Sequence, residues 1–183
     1  AVVRIEGDQA DVWTGIQFPS AVPGLVSRVA DIPAENVRFH QTYLGGGFGR
    51  RGSPSHIIEA AEIAKATGKP IQLVWTREDD IQQGPFRPAS LMRIKAGIDN
   101  DGNLIAWDAA RAGADISPDT FRSLLPALYS WMGDGMIEGV ANLSEWYFEK
   151  FATDESSTEG LFEDYDHPNT RVTHMTVDHE LPR

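Results

Sequence analysis

The sequence contains no cysteine among its 183 residues, and this absence excludes several kinds of site. Disulfide frameworks, thiolate zinc sites and iron–sulfur clusters all need cysteine side chains. Any iron–sulfur centre that works with this chain must therefore be held by another polypeptide. The five histidines show neither the H-x-x-x-H nor the H-E-x-x-H spacing, so we expect no metal held by protein side chains.

Basic residues are also scarce, since 16 Lys and Arg stand against 27 Asp and Glu, for a formal net charge of −11. Nucleic-acid-binding surfaces carry a basic patch, and anionic lipid attracts basic segments. We therefore expect neither partner. No apolar stretch approaches the roughly 20 residues that a membrane-spanning helix needs, and no signal-peptide core is present, so we also expect no membrane span.

The acidic residues are concentrated near the end of the chain. Eight of them, with a single lysine, lie between Glu145 and Asp166. Charge blocks of this kind are commonly solvated loops, and we predict an acidic surface insertion over residues 143–167. The aromatic residues within it favour burial, which an insertion that packs on a neighbour would explain.

The hydrophobic pattern alternates between strand and helix along the chain. It predicts two β-hairpins, around Gly7-Asp8 and around residues 99–103, and it predicts two main helices, 20–29 and 54–65. Further strands are expected at 36–43, 71–75 and 172–181, a capped helix begins at Thr76, residues 118–128 favour a helix, and residues 131–142 are ambiguous. The fold class that follows is α+β with a mixed sheet, and the length suits one domain, or part of one, over residues 1–183.

The most informative motif is the run of residues 44–51, which places four glycines around Phe48 and ends in Arg50 and Arg51. Glycine adopts positive φ without a Cβ penalty and lets a ligand approach the main chain. Successive N–H groups can then converge on an anion as a nest. Because the loop lies between a predicted strand and a predicted helix, the helix dipole would favour the same anion.

Two other interpretations of this motif are open, and a third is excluded. A glycine cluster can be a turn without a ligand. Residues 47–52 also satisfy the dinucleotide pattern G-x-G-x-x-G, although the strand before them alternates and no acidic residue follows at the expected distance. A Walker A loop is excluded, because Arg50-Arg51-Gly52-Ser53 does not supply Gly-Lys-Ser/Thr.

An ordered series of motifs resembles the large subunit of molybdenum hydroxylases, the xanthine dehydrogenase and aldehyde oxidase family, and among them most the isoquinoline 1-oxidoreductase type. The resemblance is dense from Trp13 to Trp107 and thin beyond it. The segments that carry it are WTGIQ at 13–17, VRFH at 37–40, LGGGFGRR at 44–51, PIQLVWTREDD at 70–80 and RP at 87–88.

The resemblance implies that the glycine loop lies against a molybdopterin cofactor, in the cytosine dinucleotide form, with the backbone at Phe48 near an oxygen ligand of molybdenum. Carried over, the cofactor-binding residues are Gly46, Gly47, Phe48, Gly49 and Arg50. The implied activity is hydroxylation of an N-heteroaromatic compound or an aldehyde, with water as oxygen source. The implied partners are the rest of the large subunit and a small [2Fe–2S] subunit, in a bacterial cytoplasm or periplasm.

Some features depart from that family. Xanthine-oxidising members have Glu where this chain has Gly52, which disfavours a purine substrate. The family's large subunit is several times longer, so the chain is expected to be a partial fragment without a catalytic residue and without tight cofactor binding on its own. Two alternatives stay open: a non-catalytic binding module of the same ancestry, and a nucleotide-binding oxidoreductase domain that uses residues 47–52.

Overall fold

The chain forms seven strands and five α-helices within the residues that this computed structural model describes, 1–152, 154–161 and 168–177. The strands are β1 (Val2–Glu6), β2 (Gln9–Thr14), β3 (Val37–Gln41), β4 (Ile71–Gln72), β5 (Ser90–Ile98), β6 (Leu104–Gly113) and β7 (Thr170–Thr176). The helices are α1 (Val22–Ala30), α2 (Ser55–Thr67), α3 (Arg77–Gln83), α4 (Ser117–Leu128) and α5 (Asp134–Phe151).

Contacts divide the chain into two compact units. The first comprises Ala1–Pro85 with Thr120–Leu143, and the second comprises Phe86–Asp119 with Ser144–Arg183. The expectation of one domain over residues 1–183 stays a prediction. None of the helices in the described ranges is long and apolar enough to cross a membrane.

The first unit is built on a mixed sheet with the strand order β3-β2-β1-β4. The hairpin β1–β2 is antiparallel, β4 pairs antiparallel with β1, and β3 pairs parallel with β2. Helix α1 makes the connection between the parallel pair β2 and β3, as such a crossover requires. Because β3 lies at the edge of the sheet, its alternating pattern is compatible with a parallel strand.

Helices α1 and α2 share one core with the sheet. Its buried members include Val3, Val12, Val26, Ile57 and Ala60. Both helices end in the left-handed conformation, at Asp31 (φ 61°) and at Gly68 (φ 62°). This conformation lets the next amide return to a carbonyl of the last turn, and the Gly68 N–H donates to the carbonyl oxygen of Ala64 at 2.9 Å.

The other face of this sheet carries a charged cluster around the buried carboxylate of Asp11. The guanidinium of Arg38 donates to both carboxylate oxygens at 2.9 and 2.8 Å, Arg4 donates at 2.8 Å, and Nε2 of His40 lies 3.0 Å away. Hydrogen bonds from Arg38, then Arg4 and His40, hold the pKa of Asp11 well below its usual range. The cluster joins β1, β2 and β3 across their strand register.

The second unit contains a sheet with the strand order β5-β6-β7. Strands β5 and β6 form an antiparallel hairpin, and β7 runs parallel to β6. Asp99 shapes the hairpin turn by accepting hydrogen bonds from the N–H groups of Asp101 and Asn103 at 2.9 and 2.8 Å. The expected hairpin is therefore confirmed as a turn.

Asp154 is a buried hydrogen-bond acceptor at the N-terminus of α4. It accepts from the N–H groups of Ile116 and Ser117, at 2.6 and 3.0 Å, and from the hydroxyls of Ser117, Ser156 and Ser157. Burial would raise the pKa of this carboxyl, but the hydrogen bonds from Ser156, Ser117 and Ile116 outweigh it and hold the pKa well below the usual value. This carboxylate is therefore the cap of α4.

The expected α+β class with mixed sheets is confirmed. Three local expectations differ. The chain has more than two main helices, and the longest, α5, covers the ambiguous residues and the first part of the acidic segment, where we expected a loop. Only Ile71–Gln72 of the expected strand 71–75 pairs with the sheet. Residues 153, 162–167 and 178–183 lie outside the described residues, so the insertion at 143–167 and the strand end at 181 stay predictions there.

We predict that Asp154→Ala lowers the free energy of unfolding by about 3 kcal/mol, because it removes a buried carboxylate that accepts from two partly buried N–H groups and three hydroxyls. Urea unfolding followed by circular dichroism measures the loss. The exposed neighbour provides the control, since Glu155→Ala should change stability by less than about 0.5 kcal/mol. Equal effects of the two substitutions would contradict the capping role.

Candidate functional site

The glycine loop, residues 45–49, follows β3 and has an unusual backbone. The φ angle is positive at Gly45 (67°), Gly46 (103°), Phe48 (50°) and Gly49 (78°). A non-glycine residue with positive φ costs about 1 kcal/mol or more, so the conformation of Phe48 is imposed by the glycines around it. The Phe48 side chain is 78% exposed, although buried aromatic side chains are the norm.

Two positions in the loop have no room for a side chain. A Cβ at Gly47 would lie 2.4 Å from Cδ of Gln17, and a Cβ at Gly46 would lie 2.5 Å from the Phe48 ring. The Gln17 N–H donates to the carbonyl oxygen of Arg51 at 2.9 Å, which ties the segment after β2 to the loop. Gln17 therefore braces the loop, whereas the nearby Trp13 stacks on His40 with 4.8 Å between ring centroids.

The main-chain N–H groups of the loop are left available. The carbonyl oxygens of Gly47 and Gly49 accept from Arg51 and Gly52, at 3.1 and 2.9 Å. Within the described ranges, in contrast, no hydrogen bond is donated by the N–H groups of the four loop glycines, Gly45, Gly46, Gly47 and Gly49. Unused N–H groups of neighbouring glycines, three of them at positive φ, can bind an anion as a nest.

The loop does not open α2 directly. A 3₁₀ turn, Arg50–Gly52, and residues 53–54 separate the glycines from Ser55, the first residue of α2. This placement differs from the dinucleotide fingerprint, in which the glycine pattern itself opens the helix. It also means that the helix dipole, which we expected to act on residues 45–49, acts first on the residues around the turn.

Arg50 is held by the segment that precedes and forms α3. Its Nε donates to Asp80 at 3.2 Å, and its guanidinium carbon lies 5.3 Å from the centre of the Trp75 ring. Asp80 also accepts from Arg77 at 3.3 Å. The capping box between Thr76 and Asp79, which the sequence predicts, is confirmed and fixes the start of α3. The structure thus gives Arg50 a carboxylate partner, Asp80.

Nη1 of Arg50 is buried and has no hydrogen-bond partner in the described structure. The guanidinium of Arg51 makes no hydrogen bond or ion pair there either. Both arginines line a cavity of about 480 Å³, together with His56, Trp75, Thr76 and Arg77. A basic cavity therefore lies directly beside the glycine loop.

His56, on the first turn of α2, is a residue that sequence reasoning missed. It is 7% exposed, its Nε2 lies 3.3 Å from Oγ1 of Thr14, and its Nδ1 is buried without a hydrogen bond among the described residues. Burial is the largest cause that lowers the pKa of His56 to about 4; the charges of the chain's amino terminus, Arg51 and Arg50 add to it, and the Ser53 backbone opposes it. Neither the glycine motif nor the hydrophobic periodicity of α2 indicates that His56 is buried beside the loop.

The low pKa of His56 predicts acid-sensitive stability. Between pH 6.5 and about 4 the unfolded chain binds a proton that the folded chain does not, so stability falls as the pH decreases through this range. We expect the free energy of unfolding to lose about 2 kcal/mol more between about pH 7 and pH 5 in the wild type than in His56→Gln. Urea unfolding at both pH values measures this difference, and parallel losses in the two proteins would show that His56 is not its source.

Residues 1–115 match the family model described as "Molybdopterin cofactor-binding domain". The chain is 35% identical over 108 residues to isoquinoline 1-oxidoreductase subunit beta of Brevundimonas diminuta, a match that covers 58% of this chain and 14% of the relative. It is 31% identical over 125 residues to human aldehyde oxidase, which covers 66% of this chain and 9% of the relative. The chain thus spans less than a sixth of the length of either relative.

Among solved structures, the crystal structure of quinoline 2-oxidoreductase from Pseudomonas putida 86 is similar to this chain. The TM-score is 0.48 and the sequence identity is 22%, over 62% of this chain and 15% of that structure.

Proposed function

The chain belongs to the family of molybdopterin cofactor-binding domains, and we propose that its glycine loop holds the molybdenum cofactor in a hydroxylase large subunit. The residues that we assign to the cofactor are Gly46, Gly47, Phe48, Gly49 and Arg50. The observation that carries this proposal is the set of unused N–H groups in a loop where Gly46 and Gly47 have no room for a Cβ. A negatively charged, oxygen-rich cofactor suits such a loop.

The loop can bind by main-chain contact because its shape is fixed before the ligand arrives. Gln17 packs on Gly47 and joins the Arg51 carbonyl, and Asp80 and Trp75 hold Arg50. Fixed donors bind an anion with little loss of conformational entropy. In this proposal the exposed Phe48 ring borders the substrate, and its backbone strain is retained because it presents both the ring and the neighbouring N–H groups.

When bound, the cofactor supplies the oxidative chemistry, in which an aldehyde or an N-heteroaromatic compound gains an oxygen atom from water and electrons leave to an external acceptor. The residues of this chain contribute binding and orientation, and we assign no catalytic residue to them. Gly52 stands at the position where the resemblance places a purine-binding Glu, so the proposed substrates exclude purines.

The wider assembly follows from the same membership. The two relatives are several times longer than this chain, and one is named as a subunit. We propose that the rest of a large subunit completes the cofactor site, that the cofactor is the cytosine dinucleotide form, and that a small [2Fe–2S] subunit carries the electrons, because this chain has no cysteine to hold a cluster.

Cofactor retention by the full-length protein tests the assignment. We expect Gly47→Glu and Phe48→Glu to lower the bound molybdenum and pterin at least about tenfold, because each places a carboxylate where the anionic cofactor would lie. Metal analysis and the fluorescence of the released, oxidised pterin measure retention. The Phe48 variant separates binding from folding, since its side chain is exposed.

Gly135→Glu is the matched control, because a Cβ at Gly135 meets nothing within 4 Å and its φ is not positive. It adds the same charge on α5 and should leave cofactor content unchanged. Full retention in both loop variants would remove the loop from the cofactor site. It would favour the alternative of a binding module that has lost the cofactor.

A further inference from the structure

We propose that the basic cavity lined by Arg50, Arg51, His56, Trp75, Thr76 and Arg77 is an oxyanion-binding site, distinct from the N–H groups of the glycine loop. Two buried nitrogens of its lining residues, Nη1 of Arg50 and Nδ1 of His56, have no hydrogen-bond partner within the described chain, and the Arg51 guanidinium makes no hydrogen bond or ion pair there. The three residues come from the turn after the loop and from the first turn of α2, and all three line the same cavity.

Leaving these donors unpaired is unfavourable. A buried donor without an acceptor loses its hydration and gains nothing in return. Nη1 of Arg50 and Nδ1 of His56 are both buried without a hydrogen bond in the described chain. More than nine-tenths of the surface of His56 is buried. An oxyanion supplies several acceptor lone pairs at once, so it can satisfy them together.

The charged side chains around the cavity also favour an anion. Asp80 accepts from both Arg50 and Arg77, at 3.2 and 3.3 Å, so one carboxylate is shared between two guanidinium groups. Arg51 adds a further positive charge without an ion pair in the described structure. The cavity wall therefore carries an excess of positive charge within a chain whose net charge is −11.

The Arg51 backbone and the side chains of Arg50 and His56 are also held in place before any ligand binds. The Arg51 backbone is fixed by two hydrogen bonds, to Gly47 at 3.1 Å and from Gln17 at 2.9 Å. Arg50 lies against Trp75, and Thr14 contacts the other nitrogen of His56. Preorganised guanidinium groups are the usual recognition elements for carboxylate and phosphate.

The ligand class is thus a phosphate or carboxylate group, borne either by a small molecule or by an acidic side chain of the parent protein. The cavity shares Arg50 with the proposed cofactor site, but Arg51, His56 and Arg77 line the cavity without being assigned to the cofactor. It can therefore be tested on the chain alone, without molybdenum.

Phosphate titration of the chain at neutral pH is the experiment. The ring resonances of His56 in ¹H–¹⁵N NMR should shift saturably with inorganic phosphate, and those of His40 and His174 should not. Sodium chloride at equal ionic strength corrects for screening. Since the Ala1 amino group also lines the cavity and donates to Leu73 at 3.1 Å, the titration is repeated with an N-terminally acetylated chain.

We expect Arg51→Gln to weaken phosphate binding about tenfold, as for the loss of a charge-assisted hydrogen bond. The exposed Arg51 side chain is not needed for folding, so this variant stays informative if His56→Gln unfolds. Arg93→Gln, on β5, removes the same charge elsewhere and should bind as the wild type does. Equal binding by Arg51→Gln and the wild type, or a His56 signal that follows ionic strength alone, would overturn the proposal.

Acetate separates the two sources of the oxyanion. Acetate that binds as tightly as phosphate at His56 supports an acidic side chain as the natural ligand, and acetate that binds at least about tenfold more weakly supports a phosphate group. Either result supports the site, and no saturable shift with either anion would refute it. If neither anion binds but Gly47→Glu and Phe48→Glu still lower cofactor retention, the oxyanion site is refuted and the proposed function is not affected.

Discussion

Parallel pairing of β2 and β3 is the constraint on which the candidate site depends. Parallel strands end at the same edge of a sheet, so the segment after β2 and the loop after β3 must lie side by side. The Thr42 N–H donates to the carbonyl oxygen of Thr14, the Gln41 side chain donates to that of Ile16, and the Gln17 N–H donates to that of Arg51. The Gln17 side chain therefore packs on Gly47, where a Cβ would lie 2.4 Å from its Cδ unless that side chain moved. The crossover helix α1 is what permits this pairing within one short unit.

Much of the first unit could be predicted from the sequence, because its local signals agree with its tertiary structure. The hairpin at Gly7, the helices α1 and α2, and the capping box at Thr76 all carry turn or capping residues at the positions where the chain changes direction. The short pairing of β4 could not be predicted. The β-branched and aromatic residues of 71–75 suit a strand; Ile71 and Gln72 pair with β1, Leu73 exchanges hydrogen bonds with Ala1 at 2.9 and 3.1 Å, and the Trp75 ring lies beneath Arg50. Helix α5 was missed because its glycines weaken a pattern that packing at Ile137 and Ala141 supports.

The site itself was only partly predictable. The glycine run identifies the loop, since four glycines around one aromatic residue have few purposes other than a close backbone approach. The carboxylate partner of Arg50 could not be predicted, because Asp80 lies thirty positions away and its sequence context indicates only a helix N-terminus. His56 is missed for a related reason: a histidine in the first turn of a helix has no pattern that distinguishes burial from exposure. Long-range packing, which local sequence does not encode, determines both the partner of Arg50 and the burial of His56.

The electrostatics of the first unit show why net charge is a poor guide to local binding. The chain is strongly acidic overall, yet the turn after the glycine loop collects Arg50 and Arg51, and α3 adds Arg77 beside a single shared carboxylate. Within a wall of low polarisability such a local excess acts over a few ångströms and is little screened by distant acids. Burial is the largest cause that lowers the pKa of His56, and the same field adds to it, so His56 stays neutral at physiological pH and can offer or accept one hydrogen bond at Nδ1. An acidic protein can in this way attract a negatively charged group to one edge of one sheet, because the glycine loop supplies dipoles and the neighbouring arginines supply charge at the same place.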